Sequence, residues 1–338
     1  MKAAVFYGKS DIRVETGYRK PEVGEDEILI RVKACGVCGT DLHIFSGAQG
    51  ATDCSPPVIL GHEIAGVAEA VGSRVTRIQP GDPVTVNPNI FCEACAFCRS
   101  GKPHLCETMQ GTGVNFNGGF AEYCVVLEQQ AYRIRDGVTF PEAAMSEPLS
   151  CCLHGMDQLA LKAGSTVMVV GGGTIGMIML QLAQLGGAAK TVLLEINEDR
   201  FTLARAIGAD LVLNPLKDDV EAALAENGFS NIDAVIECAG RPAAVGNAIR
   251  YAGKGCRVLL FGLTEPDCTV PFNPFAAFKK ELTILTSFVN PDTQERAVAL
   301  INEGRLRLGE LIDECIPLDD IQKAFGDKAG NGKMIVTP

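Results

Sequence analysis

Fourteen cysteines stand in a chain of 338 residues, and their spacing is the first feature that could do chemistry. Cys92, Cys95, Cys98 and Cys106 follow one another in Cys-Glu-Ala-Cys-Ala-Phe-Cys-Arg-Ser-Gly-Lys-Pro-His-Leu-Cys. Two-residue gaps let successive thiolates turn inward on a tight loop, and the longer last gap closes a tetrahedron. Four sulfurs with no open position make a structural zinc site. An iron–sulfur cluster takes the same ligands, and spacing alone does not separate the two. His104 lies inside the ladder and is expected outside the shell, because four thiolates already fill it.

A second constellation is mixed. Cys35-Gly36-Val37-Cys38-Gly39-Thr40-Asp41-Leu42-His43 is followed by Gly61-His62-Glu63. A thiolate, an imidazole and a carboxylate form the shell of a zinc ion that keeps one position open for water or substrate. The residues alone are equally compatible with packed core side chains that happen to lie close in sequence.

The third motif is Gly171-Gly172-Gly173-Thr174-Ile175-Gly176, which fits G-x-G-x-x-G. It follows the apolar strand Thr166 to Val170 and opens a helix over Thr174 to Leu185, the context in which backbone N–H groups receive a pyrophosphate. The next strand, Thr191 to Glu195, ends in a carboxylate about twenty residues further on. Glu195 can accept hydrogen bonds from the adenosine ribose hydroxyls and would repel a 2′-phosphate, so NAD is expected over NADP. Arg200 is read as lining the adenosine pocket, although an arginine there could hold a phosphate.

These motifs need two kinds of framework. Residues 1 to about 150 carry short β-branched runs, such as Glu27 to Val32 and Val84 to Val86, separated by Gly and Pro, which reads as antiparallel β structure. From about residue 165 strands alternate with helices. Strands at Leu211–Leu213, Ile232–Ile236 and Arg257–Phe261, with helices at Asp199–Ile207 and Pro242–Tyr251, spell a doubly wound parallel sheet. A helix at Thr293–Asn302 and a strand at Met334–Val336 close the chain.

The formal net charge of −11 repels phosphate backbones and anionic lipid, so neither nucleic acid nor membrane is an expected partner. The start, Met1 to Tyr7, is too soon interrupted by Gly8 and Lys9 to be a signal peptide. The apolar run from Thr166 to Leu185 carries four glycines in its first half and reads as strand, turn and helix, not as a membrane span. A cytoplasmic location is expected, where cysteines bind metal more readily than they pair.

Taken in order along the chain, these motifs resemble the zinc-dependent medium-chain dehydrogenase/reductase superfamily, nearest its polyol branch of sorbitol, threitol, arabitol, butanediol and threonine dehydrogenases. The resemblance implies a GroES-like catalytic domain over 1–149 and 289–338 and a Rossmann domain over 150–288. It places the catalytic zinc on Cys38, His62 and Glu63. It also brings in Glu147, of Ser146-Glu147-Pro148-Leu149-Ser150, directly or through water, with Cys151 and Cys152 as rivals. Glu63 would alternate with water, Asp41 would orient His62, and Cys35 has no role beyond packing. Zinc would bind the substrate hydroxyl and stabilise its alkoxide while hydride passes to the nicotinamide. Thr40 would take the proton and pass it through the nicotinamide ribose to His43, with Glu147 as a second shuttle. Ile44, Phe45 and Phe288 are candidate pocket walls.

The resemblance further implies two zinc ions per chain and a homotetramer. Sugar alcohols, their phosphates, 2,3-butanediol and L-threonine all stay open as substrates. The competing readings are a metal-buffering or redox-sensing protein, an inactive homologue that kept the fold, and a zinc-free reductase of the same superfamily.

Overall fold

The computed structural model describes residues 1–48, 50, 52–326 and 331–338. Two compact units divide the chain, Met1–Ser150 with Asn290–Pro338, and Cys151–Val289.

In the first unit, among the described residues, a seven-stranded sheet runs in the order Ala131–Arg133, Pro83–Val86, Glu63–Val71, Glu27–Gly36, Lys333–Thr337, Ile312–Pro317, with Tyr123–Leu127 also paired to Glu27–Gly36. The central strand Glu27–Gly36 buries almost every second residue and its whole end, Ala34 to Gly36. Isoleucine and valine alternation is what a strand with a packed face requires. A smaller sheet joins Ala3–Gly8 to Asp11–Glu15 and Val58–Ile59, and Phe6, Ile30, Ile59, Leu60, Ile64 and Phe120 pack together in one core with them. The antiparallel expectation has one exception: Ile312–Pro317 and Lys333–Thr337 pair in parallel.

The second unit holds a six-stranded sheet in which every pair is parallel, ordered Leu211–Leu213, Lys190–Leu194, Thr166–Val170, Ala234–Glu237, Arg257–Leu260, Thr283–Thr286. The order reverses beside the first strand, and in such sheets ligands bind beyond the strand ends at that reversal. The expected α/β architecture is present. Helices Thr174–Leu185 and Pro242–Tyr251 have the bounds the periodicity gives. The helix expected over Asp199–Ile207 is shorter. A 3₁₀ turn at Glu198–Arg200, capped by the Asn197 side chain, precedes a helix that ends at Ala206. Among the described residues no helix is long and apolar enough to cross a membrane.

Candidate metal and nucleotide sites

The mixed constellation converges in the first unit. Gly36 ends the central strand, and Cys38 then caps the helix Gly39–Phe45. That helix starts where it does because Asp41, three residues in, accepts from the Cys38 N–H at 2.8 Å, the reciprocal half of a capping box. The other Asp41 oxygen accepts from Gly61 N at 3.3 Å and faces His62 Nδ1 at 3.5 Å. One fully buried carboxylate thus ties both motif segments together. The ligand atoms of Cys38, His62 and Glu63 all lie within 4.8 Å of one another.

The electrostatics are those of a site built for a cation. Burial disfavours the His62 charge, but the Asp41 carboxylate and the Cys38 sulfur outweigh it and hold its pKa well above the ordinary histidine value. Glu63 Oε2 is buried with no hydrogen-bond partner, while His62 Nδ1 is turned to the Asp41 carboxylate 3.5 Å away. Buried polar atoms are normally paired, so this donor set of sulfur, nitrogen and oxygen fits a zinc ion.

Sequence reasoning missed Lys333. Its ammonium donates to Glu63 Oε1, and both residues are buried. Burial works against the lysine charge, and Glu63, Cys38 and Glu147 outweigh it, so its pKa is raised. The signal was available: Lys333 sits two residues before the core Ile335 on a strand, hence on the same face.

Glu147 is buried but lies outside the three-residue group. It occupies the first turn of the helix Ser146–Leu159, and a polar network that the sequence did not announce holds that turn. Thr85 Oγ1 lies within hydrogen-bonding distance of Ile64 O, Ala143 O and Ser146 Oγ, at 2.9, 3.0 and 2.6 Å. Gln294 donates to Ser146 Oγ at 2.9 Å and Asn290 donates to Ser150 Oγ. Ser150 Oγ donates in turn to the Glu147 carbonyl at 2.8 Å. Cys151 and Cys152 follow on the same helix, in the second unit, and neither joins the group. Thr40 Oγ1 lies 3.7 Å from Cys38 Sγ, and His43, three residues on, is partly exposed. Cys35 is wholly buried, Ile44 and Phe45 pack in the core, and Phe288 is 41% exposed.

The cysteine ladder also closes. Cys92, Cys95, Cys98 and Cys106 bring their sulfurs within 4.8 Å of one another, without His104. Backbone N–H groups point at the sulfurs, Cys95 N to Cys92 Sγ at 3.3 Å and Cys98 N to Cys95 Sγ at 3.5 Å. The N–H groups of Ala94 and Cys95 help draw the Cys92 thiol down to about 6.

In the second unit the glycine loop has the expected build. Gly171 adopts a φ of 98°, which a side chain would resist. A Cβ at Gly176 would fall 1.8 Å from Gly171 O, so the helix can reach the turn only without one. At Gly173, the helix cap, the space is open. The strand stops at Leu194, one residue short of the expectation, with Glu195 just beyond. Glu195 is 4% exposed. It accepts from Gly172 N at 2.6 Å and Asn197 N at 2.7 Å, and Arg200 Nη1 is 3.4 Å away. Thr174 and Ile175 sit at the start of the helix, both partly exposed. A second carboxylate that sequence reasoning passed over, Glu237, is fully buried and accepts from Ala239 N and Gly240 N at 2.8 Å each. It braces the turn whose Ala239 lies against Gly171.

Two family models match the chain: the alcohol dehydrogenase GroES-like domain over residues 24–136 and the zinc-binding dehydrogenase over 174–303. D-arabinitol dehydrogenase 1 of Uromyces fabae is 33% identical, covering 94% of this chain and 92% of its own length. L-threonine 3-dehydrogenase of Bacillus velezensis is 31% identical, covering 94% and 93%. A solved structure from Sinorhizobium meliloti 1021, described as a zinc-binding dehydrogenase bound to NADP, superposes with a TM-score of 0.95 at 37% identity, over 100% of this chain and 99% of its own.

Proposed function

Because the chain belongs to the zinc-dependent medium-chain dehydrogenase/reductases, we propose that it oxidises a secondary hydroxyl of a polyol-like substrate with NAD. The observation that carries this reading is the convergence of the buried His62 and Glu63 with the partly exposed Cys38. Zinc bound there supplies Lewis acidity to a substrate hydroxyl. Asp41 holds the His62 imidazole in place, Glu147 takes part directly or through water, and the cysteine ladder holds a second, structural zinc. Thr40, beside Cys38, receives the hydroxyl proton and His43 releases it to water. Gly171, Gly173, Thr174, Ile175 and Gly176 seat the pyrophosphate, and Glu195 with Arg200 receives the adenosine ribose. The buried Glu195 supports NAD over NADP, because a 2′-phosphate beside a buried carboxylate is repelled.

In this reading residues 1–149 with 289–338 form the catalytic domain and 150–288 the nucleotide domain, in a cytoplasmic homotetramer. Support for self-association lies in Phe275 and Phe278, which are 71% and 77% exposed on the helix Pro274–Lys280. They precede the edge strand Thr283–Thr286, and an apolar patch at an open edge is a feature of interfaces.

The test is NADH formation from a panel of sugar alcohols, their phosphates, 2,3-butanediol and L-threonine, with and without chelator. Threonine belongs in the panel because a threonine dehydrogenase is among the relatives. Polyol turnover that stops on metal removal is expected, and Cys38→Ala should cost on the order of 10³-fold in kcat. His43→Gln should flatten the pH–rate profile near neutrality. Turnover indifferent to chelator, or confined to threonine, would overturn the reading.

A further inference from the structure

Glu63 and Lys333 meet across the backbone of Gly36. Glu63 begins its strand directly opposite Gly36, and Ile335, two residues after Lys333, pairs with Gly36 from the other side. A Cβ on Gly36 would fall 1.8 Å from Glu63 Oε2 and 2.9 Å from Lys333 Cε. Only glycine leaves room for the pair, and Cys38 stands two residues further on. Among the described residues Lys333 is the only buried lysine or arginine. The carboxylate is engaged at Oε1 alone, while Oε2 is buried without a hydrogen-bond partner.

We propose that Lys333 is a positioning residue that sets how strongly Glu63 engages the metal. This rests on the metal reading above. With Oε1 held by the ammonium, Glu63 can offer the ion only Oε2, and the ammonium withdraws charge from that oxygen. The lysine also offsets one of the negative charges of Cys38, Glu63 and Glu147, all of which act on it. Without Lys333 the carboxylate is left buried and uncompensated, and a dication becomes its only strong partner nearby. Lys333 therefore keeps Glu63 a weak ligand, one that yields its place when a substrate hydroxyl arrives.

A purely structural ion pair would tie the strands together and act equally on metal-loaded and stripped protein. Lys333→Met tells the two apart. Metal release to a chromophoric chelator is followed on full-length protein, with the cysteine ladder as an internal reference, and melting is measured loaded and stripped. Release from the Cys38 site is expected to slow by about tenfold or more, in the range that partners of metal ligands command. The gap in Tm between loaded and stripped protein should widen, and the absorption of the cobalt-substituted site should shift as a carboxylate joins it. Lys333→Arg should keep the wild-type values. In a Glu63→Gln background the effect of Lys333→Met on release should vanish, since the coupling runs through Glu63; this double variant also lacks the buried bare charge if the single one folds poorly. Equal loss of Tm in loaded and stripped protein, with release unchanged, would overturn the proposal. A wild-type chain that holds no metal at Cys38 and His62 would instead remove the metal reading itself.

Discussion

At the scale of single residues, the proposed preference for NAD rests on Glu195. Its two oxygens already receive N–H groups from the glycine loop and from Asn197, so the carboxylate stands fixed where a ribose would arrive. Glu195→Ala should lower kcat/KM for NAD by about 10–100-fold, the worth of one or two hydrogen bonds to a charged group. It should also narrow the gap to NADP, since the carboxylate that repels a 2′-phosphate beside Arg200 is gone. A wild-type enzyme that uses both cofactors equally would refute that role. The NADP in the Sinorhizobium meliloti structure makes this measurement decisive. Glu195 could be found from sequence because a strand, a glycine loop and a spacing all point at it. Alternation with Ile335 marks Lys333 as facing the core but does not name its partner. Its partner lies 270 residues away in sequence, and only the pairing of two distant strands across Gly36 brings them together.

At the scale of elements, the first turn of the helix Ser146–Leu159 is held by hydroxyls and amides as well as by the buried Leu149. Thr85→Val keeps the shape of the side chain but removes the one hydroxyl that Ser146 Oγ and the carbonyls of Ile64 and Ala143 share. It should destabilise the protein by about 1–3 kcal/mol in urea unfolding, and a change within about 0.5 kcal/mol would show the network to be incidental. Strands and helices with a clear period were legible, and so were the two motif loops. The network was not, since Thr85, Ser146, Asn290 and Gln294 carry no period and no motif.

The cysteine ladder makes its own prediction. Its N–H groups favour the thiolate of Cys92, whose pKa falls to about 6 from an ordinary value of 9.0. A lowered pKa stabilises the folded loop at high pH, and the gain shrinks as pH falls from about 9 and is gone below about 6. Protons also compete with metal for sulfur there. Zinc should stay on the ladder at neutral pH and leave only in acid, read by a zinc indicator against pH, whereas release centred above pH 7 would contradict this arrangement of sulfurs and amides.

At the scale of the whole molecule, the doubly wound sheet could be read from strand–helix alternation alone. The seven-stranded sheet could not be ordered from sequence, because Lys333–Thr337 inserts between Glu27–Gly36 and Ile312–Pro317. That insertion bears on how the protein is made. A ribosome releases residues 151–289 as one uninterrupted stretch, able to complete its parallel sheet while synthesis continues. The opening 150 residues must meanwhile wait with the Cys35–Gly36 end of the strand Glu27–Gly36 unpaired on one side, a short exposed edge of the kind that invites wrong partners. Glu63 waits too, for the lysine that neutralises it follows the whole second unit in the chain. Birth order thus lets the Glu63–Lys333 pair form only after that unit has been made.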